Sequence, residues 1–335
     1  MANLTDYEPF HLIQKPLKKE IELASPVLKW AGGKTQLLPQ LRERYSPKLR
    51  KGTLTTYIEP FVGGGAVFFD IVNSFDIHKA YLFDTNPELI ILYKVIQQDV
   101  ESLITELLKL SNTYLPKDDQ RRKALYYKYR NKYNTFNKQI DANSYARNWI
   151  KRAAITVFLN KTCFNGLYRV NSKGEFNVPV GRYKNPKILN ANNLRAVSKL
   201  FQIAEIEQRD FSQVLEYADH STFIYYDPPY RPISKTSNFN SYHSLEFDDN
   251  EQRRLRDVFV KADQAGAHQM LSNSDPTNYV NDLFFDELYQ GLTIERILAS
   301  RRINSKGNSR GEIRELLLPS LGARSRLALL VRIHA

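Results

Sequence analysis

Residues 54–96 read LTTYIEPFVGGGAVFFDIVNSFDIHKAYLFDTNPELIILYKVI. An apolar strand-like run, LTTYIEPF, ends in a proline and a glycine turn, and the helix-length segment AVFFDIV follows. A second strand-like run, KAYLFD, then leads into a second helix-length segment, PELIILYKVI. Strands alternating with helices are the pattern of a parallel sheet covered by helices, so this stretch predicts an α/β fold. Short β-like runs return at IAEIEQ, STFIYYD, AHQMLSNS and LTIERILAS, with a charged helix around 246–265 between two of them. The chain from Asp99 to Val157 reads as helical and polar, and 160–186, NKTCFNGLYRVNSKGEFNVPVGRYKNP, as turn-rich with hairpin-like pieces. The expectation is one sheet domain built from 20–96 and 201–318, interrupted by an insertion over 97–200. The tail PSLGARSRLALLVRIHA, 319–335, continues no pattern and reads as an appended or read-through segment rather than a basic partner helix.

The chain has 335 residues, enough for about two domains and a sizeable core. Its single cysteine, Cys163, excludes an internal disulfide framework. A 42% hydrophobic and 25% charged composition argues against wholesale disorder. No apolar run reaches the roughly 18–20 residues of a membrane helix, and the N-terminus lacks the apolar core of a secretory signal, so a cytoplasmic location without membrane association is expected. The net charge is +12, and its distribution is uneven: residues 121–187 hold sixteen Lys and Arg against only Asp141 and Glu175. The remaining chain is close to neutral. Seven aromatics interleave with these cations between 121 and 152, which suits phosphates and bases; the competing reading is a solvated helix whose tyrosines pack as core.

Three strings carry chemistry. WAGGKT, 30–35, ends like a phosphate-binding loop, but the position five before Gly33 is Leu28 rather than glycine, which excludes a Walker motif. Glu59-Pro60-Phe61-Val62-Gly63-Gly64-Gly65 follows a strand and opens a helix, and Asp84 ends the next strand, where its carboxylate can accept both hydroxyls of a ribose. Together they point to an adenosine-containing ligand, NAD(P) or S-adenosylmethionine, although glycine turns also serve packing and strand-end aspartates also cap helices. Asp227-Pro228-Pro229-Tyr230 follows the apolar run FIYY. Two prolines stiffen a turn at a strand's C-terminal end and remove backbone donors, leaving the Asp227 carboxylate and Pro228 carbonyl as acceptors beside the flat face of Tyr230. An exocyclic amino group on a base has the matching two donors and π-face. His243 is not assigned a role, because a lone histidine in a polar loop is commonly exposed.

From Pro26 to Leu318 the chain resembles the Dam-type (D12 class, α group) S-adenosylmethionine-dependent DNA adenine-N6 methyltransferases. The resemblance rests on LKWAGGK (28–34), EPFVGGGAVFF (59–69), YLFDTNPELI (81–90), FNGLYRVNSKGEFNVPVGRYKNP (164–186), DPPY (227–230) and NFNSYH (238–243), in that order. It implies a Rossmann-like class I methyltransferase sheet with an inserted, mainly helical target-recognition domain over 97–200. It implies catalysis by Asp227, Pro228, Pro229 and Tyr230, without a metal. Trp30, Ala31, Lys34, Phe61, Gly63, Gly64, Gly65, Asp84, Asp210, Phe211 and Asp227 are the implied cofactor-binding residues, with Asp210 on the adenine amino group and Phe211 against its ring. The implied DNA-binding residues are Lys29, Phe164, Asn165, Leu167, Arg169, Pro179 and Tyr183, with Phe164 wedging into the stack and Arg169 and Lys29 reading guanines. The expected substrate is an adenine flipped from duplex DNA, within GATC or a related AT-containing palindrome. A non-catalytic duplex-DNA reader is the competing class, disfavoured because it needs neither DPPY nor a cofactor turn. A cognate restriction endonuclease acting in the same system without stable binding, and a monomer or weak dimer, complete the expectation.

Overall fold

The computed structural model describes residues 23–136, 140–231, 247–278, 282–300 and 312–319. The start of the expected sheet domain at 20–22, the NFNSYH motif with His243, and residues 320–335 lie outside the described residues. Among the described residues one sheet contains β1 Thr56–Glu59, β2 Lys79–Asp84, β3 Ala204–Gln208, β4 Thr222–Tyr226, β5 His268–Ser274, β6 Glu295–Ser300 and β7 Glu312–Pro319. The order is β3-β2-β1-β4-β5-β7-β6, with β7 antiparallel to β5 and β6 and the remaining pairs parallel. The helices are α1 Leu38–Arg44, α2 Pro47–Arg50, α3 Ala66–Ser74, α4 Pro87–Tyr114, α5 Asp119–Asn134, α6 Trp149–Thr162, α7 Ala191–Leu200, α8 Asp249–Gln264 and α9 Phe284–Leu288.

Side chains alternate across the strands, and each face of the sheet has its own core. Tyr57, Leu82, Tyr225, Met270 and Leu317 join an apolar cluster with α3, α4, α6 and α7. Their neighbours Ile58, Phe83, Ile224, Tyr226, Leu271, Leu316 and Leu318 join a second cluster with α8 and α9. Burial on both faces is why these strands read as nearly continuous apolar runs. It also hid β7: EIRELLLP shows no alternation to mark a strand, yet it inserts between β5 and β6 and ends at Pro319, the first residue of the expected tail.

The insertion departs from its expected polar character. α4 continues past residue 96 to Tyr114, bending at Asp99, whose backbone is non-helical and whose carboxylate accepts from the Tyr145 hydroxyl. α6 is buried along most of its length against α4, so it is a core helix. Arg152 of α6 forms a salt bridge with Glu88 in the first turn of α4, both nearly buried. Removing one partner of such a pair costs about 3–5 kcal/mol, because the other charge stays buried alone. The seven interleaved aromatics prove to be core: Tyr126, Tyr133 and Trp149 are buried, and Tyr127, Tyr129, Phe136 and Tyr145 pack against the same cluster. The cations Arg121, Lys123, Lys128, Lys132, Arg147 and Lys151 stay exposed. The competing reading therefore holds for the tyrosines, while the surface charge remains.

No helix among the described residues is long and apolar enough to cross a membrane.

Candidate active site

The strand order reverses at β1, so the C-terminal ends of β1 and β4 flank the crevice where an open α/β sheet binds ligands. The turn from β1 into α3 needs its glycines. Gly63 has φ +45° and Gly65 φ +69°, in the left-handed region, and a Cβ on Gly63 would lie 2.9 Å from Cδ1 of Trp30. Trp30 thus lies directly on the turn and stacks on Tyr168 at 5.2 Å. At the end of β2, Asp84 accepts from the backbone N–H of Gly63 at 3.0 Å through Oδ2 and from Asn86 N–H at 2.8 Å through Oδ1. One carboxylate thereby ties the glycine turn to the start of α4, where Asn86 is the N-cap. The Tyr93 hydroxyl secures the turn further by donating to the Gly63 carbonyl.

Beyond β3, Asp210 caps the short helix Phe211–Glu216 through Ser212 N–H at 2.9 Å. It also pairs with Arg254 of α8 through two hydrogen bonds of 2.7 and 2.8 Å. Arg254 and the cap hold the Asp210 carboxyl down to about 2, so it is an anion at neutral pH. Phe211 is buried, stacked on Phe61 with centroids 5.4 Å apart and covered by Arg254.

At the end of β4, Asp227 meets Lys34, which leaves the WAGGKT segment on the short helix Lys34–Gln36. The Lys34 ammonium donates to Asp227 Oδ1 at 2.6 Å, to the Gly32 carbonyl at 3.1 Å and to the Tyr230 hydroxyl at 3.3 Å. Tyr230 in turn donates to Glu315 Oε1 of β7 at 3.1 Å, and Glu315 Oε2 lies 3.7 Å from the ammonium. Behind Asp227, Ser272 of β5 sits 3.5 Å from Oδ1 and 2.8 Å from the Tyr225 hydroxyl. Burial lowers the Lys34 pKa, but Asp227, Tyr230 and Glu315 outweigh it and the net shift is upward, so the ammonium stays charged. Burial raises both carboxyls, Asp227 and Glu315, while Lys34 pulls each back down. The Asp227 side chain keeps 20% exposure, which leaves it reachable from the crevice.

A third group surrounds the turn after α6. Asn160, almost fully buried, accepts from Lys29 N–H at 2.9 Å and donates to the carbonyls of Lys29 at 2.8 Å and Gly166 at 2.9 Å. It clamps the segment before Trp30 onto the turn Phe164–Gly166, where Asn165 has φ +56°. Phe164 is 47% exposed, unusual for a phenylalanine, and its N–H bonds to the carbonyl of Pro179. Lys29 lies over the Tyr183 ring at 4.8 Å, and Arg169 Nε donates to Asn177 Oδ1 at 2.7 Å. Lys161 beside them is lowered to about 8 by burial and by Lys29 and Lys187.

The family model for D12 class N6 adenine-specific DNA methyltransferase matches residues 30–303. The chain belongs to this family. It is 48% identical over 294 residues to type II methyltransferase M.MjaIII of Methanocaldococcus jannaschii, covering 88% of this chain and 98% of that protein. It is 37% identical to type II methyltransferase M1.LlaDCHI of Lactococcus lactis, over 91% of this chain and 98% of the relative. It is 32% identical to the DNA adenine methylase of Escherichia coli K12, over 87% and 93%. This D12 class enzyme is an adenine-N6 DNA methyltransferase acting on DNA, and its family implies S-adenosylmethionine as methyl donor.

The donor chemistry at the crevice of this methyltransferase fits that cofactor. A strand-end carboxylate suits a ribose diol, a left-handed glycine turn lets backbone approach closely beside the α3 N-terminus, and the partly exposed Phe61, stacked on Phe211, offers aromatic surface. The residues expected at the cofactor divide in two. Trp30, Phe61, Gly63–Gly65, Asp84, Asp210 and Phe211 ring the ends of β1, β2 and β3, and Ala31 is exposed beside them, whereas the ammonium of Lys34 sits on Asp227. The seven expected DNA-binding residues gather around the Phe164–Gly166 turn. Glu315, Ser272, Asn160 and Arg254 were not anticipated. Glu315, Ser272 and Arg254 come from strands or helices remote in sequence from the groups they meet, whereas Asn160 lies only six residues before the Gly166 carbonyl it binds.

Proposed function

We propose that this methyltransferase modifies an adenine flipped out of duplex DNA, within GATC, with Asp227 and the Pro228 carbonyl receiving N6. The observation that carries the reading is the half-buried Asp227 carboxylate beside Tyr230 at the sheet's switch point, next to the glycine turn. Adenine N6 is a weak nucleophile because its lone pair is delocalised into the ring. Two acceptors on its two hydrogens favour tetrahedral geometry and free that lone pair. Bound S-adenosylmethionine supplies a methyl group on a cationic sulfur. Taking up that methyl group would place positive charge on N6 and release S-adenosylhomocysteine; the Asp227 anion stabilises that charge where it develops and would accept the one proton N6 then sheds, passing it on to solvent. Tyr230 supplies a stacking face that offsets part of the few kcal/mol spent in extruding the base. In the same reading Trp30, Phe61, Gly63–Gly65 and Asp84 hold the cofactor, Asp210 and Phe211 its adenine, and residues 97–200 form the target-recognition domain.

Recognition of GATC rests on Phe164, whose exposed ring suits a wedge, and on Arg169, whose guanidinium matches guanine O6 and N7. The DNA adenine methylase names of relatives support adenine as the target, and the type II methyltransferase names support a place beside a restriction endonuclease. The test is kcat/KM for methylation of a GATC duplex against duplexes substituted at each position. Each substitution should cost about 1–3 kcal/mol. Equal rates, or a faster substituted duplex, would replace GATC with another site.

A further inference from the structure

Glu315 is a buried charged group beside Lys34 and Tyr230 to which the chemistry above gives no task. It lies on β7, opposite Ser274 of β5 in a hydrogen-bonded ladder, so its position is set by the sheet. Its side chain is 7% exposed. Oε1 accepts from Tyr230, while Oε2 is buried, has no hydrogen-bond partner among the described residues, and faces the Lys34 ammonium across 3.7 Å. A buried carboxylate oxygen without a donor is costly, and such an atom calls for an explanation.

The Lys34 ammonium, meanwhile, occupies the group that adenine N6 needs. At 2.6 Å it neutralises Asp227, and a cation there opposes the positive charge that N6 acquires during transfer. We propose that Glu315 is a positioning residue that provides a second seat for Lys34: when the target adenine enters, the ammonium leaves Asp227 for Glu315 Oε2. The movement is short, because the ammonium already lies between the two carboxylates and Tyr230 contacts both Lys34 and Glu315. With the base absent, Lys34 keeps Asp227 from being an uncompensated buried anion. With the base present, Glu315 takes over as counter-charge and Asp227 recovers its full negative charge for N6. In the seat on Asp227, burial lowers the Lys34 pKa but Asp227, Tyr230 and Glu315 outweigh it, so the group that would move is a cation.

The inference rests on the reading of Asp227 as the N6 acceptor, and the test separates the two. Glu315→Gln preserves the acceptor for Tyr230 and removes the charge. In single-turnover methylation at saturating cofactor it should slow transfer on the order of tenfold, within the range of coupled charged neighbours. In a Lys34→Met background the same change should cost less than about twofold, because Glu315 acts through the lysine. An equal cost in both backgrounds would assign Glu315 to Tyr230 or to the fold and overturn the proposal. The second measurement needs no turnover: a crystal structure of the wild-type enzyme with duplex DNA and S-adenosylhomocysteine. The result expected is the Lys34 ammonium hydrogen-bonded to Glu315 and out of reach of Asp227, with N6 on Asp227. N6 on Asp227 with Lys34 still bound there overturns the second seat alone; N6 bound elsewhere overturns the reading of Asp227 and the inference with it.

Discussion

Arg169 shows how much a single residue's surroundings add to its identity. Its type and place in FNGLYR suggest a guanine reader, and the structure adds that Asn177 grips Nε, which fixes the plane of the guanidinium. A preorganised fork loses less entropy on binding than a free arginine. Arg169→Ala is expected to lose about 1–3 kcal/mol of discrimination at one base pair, and Arg169→Lys to resemble it in specificity more than in affinity. Measured as kcat/KM on singly substituted duplexes at one salt concentration, a uniform slowing of all duplexes would instead make Arg169 a backbone anchor. Asp210 teaches the converse. Its place before the DPPY strand was legible, but its bidentate partner Arg254 lies 44 residues away on α8, and no local pattern announces such a contact.

Among the elements, the β1–α3 turn was the most legible, since strand, glycines and helix follow one another within 56–74. KAYLFD became β2 with the expected bounds, because local propensity and tertiary environment agree there. β7 and α6 were the least legible, as the described side chains of each are mostly buried and leave little of the polar half that makes a period visible. The glycine turn also gives a prediction at this scale. Gly63→Ala must hold an alanine at φ +45° and push a Cβ against Trp30 at 2.9 Å. The left-handed backbone alone costs about 1–2 kcal/mol. We expect a lower melting temperature together with weaker S-adenosylmethionine binding by calorimetry. An unchanged dissociation constant would separate the turn from the cofactor.

For the whole molecule, the sequence showed the concentration of positive charge in 121–187, and folding keeps Arg121, Lys123, Lys128, Lys132, Arg147, Lys151, Lys173, Arg182, Lys184 and Lys187 exposed. The aromatics among them were misleading, because spacing along a helix cannot tell a core stripe from a stacking surface until its partner helix is known. Six phosphate contacts from this segment would give a log–log salt slope of DNA affinity of about −5, and a slope near zero would make the segment a merely solvated face. In the proposed function charge brings the duplex to the enzyme, whereas the chemistry rests on one carboxylate at the end of β4. Asp227→Ala still leaves Glu315 as a partner for the Lys34 ammonium, so the variant does not strand a buried charge. The decisive measurement is single-turnover transfer of a labelled methyl group by Asp227→Ala to an adenine-containing duplex, alongside calorimetry of S-adenosylmethionine binding. The account predicts that transfer is lost while cofactor binding stays largely intact; near-wild-type transfer would contradict it.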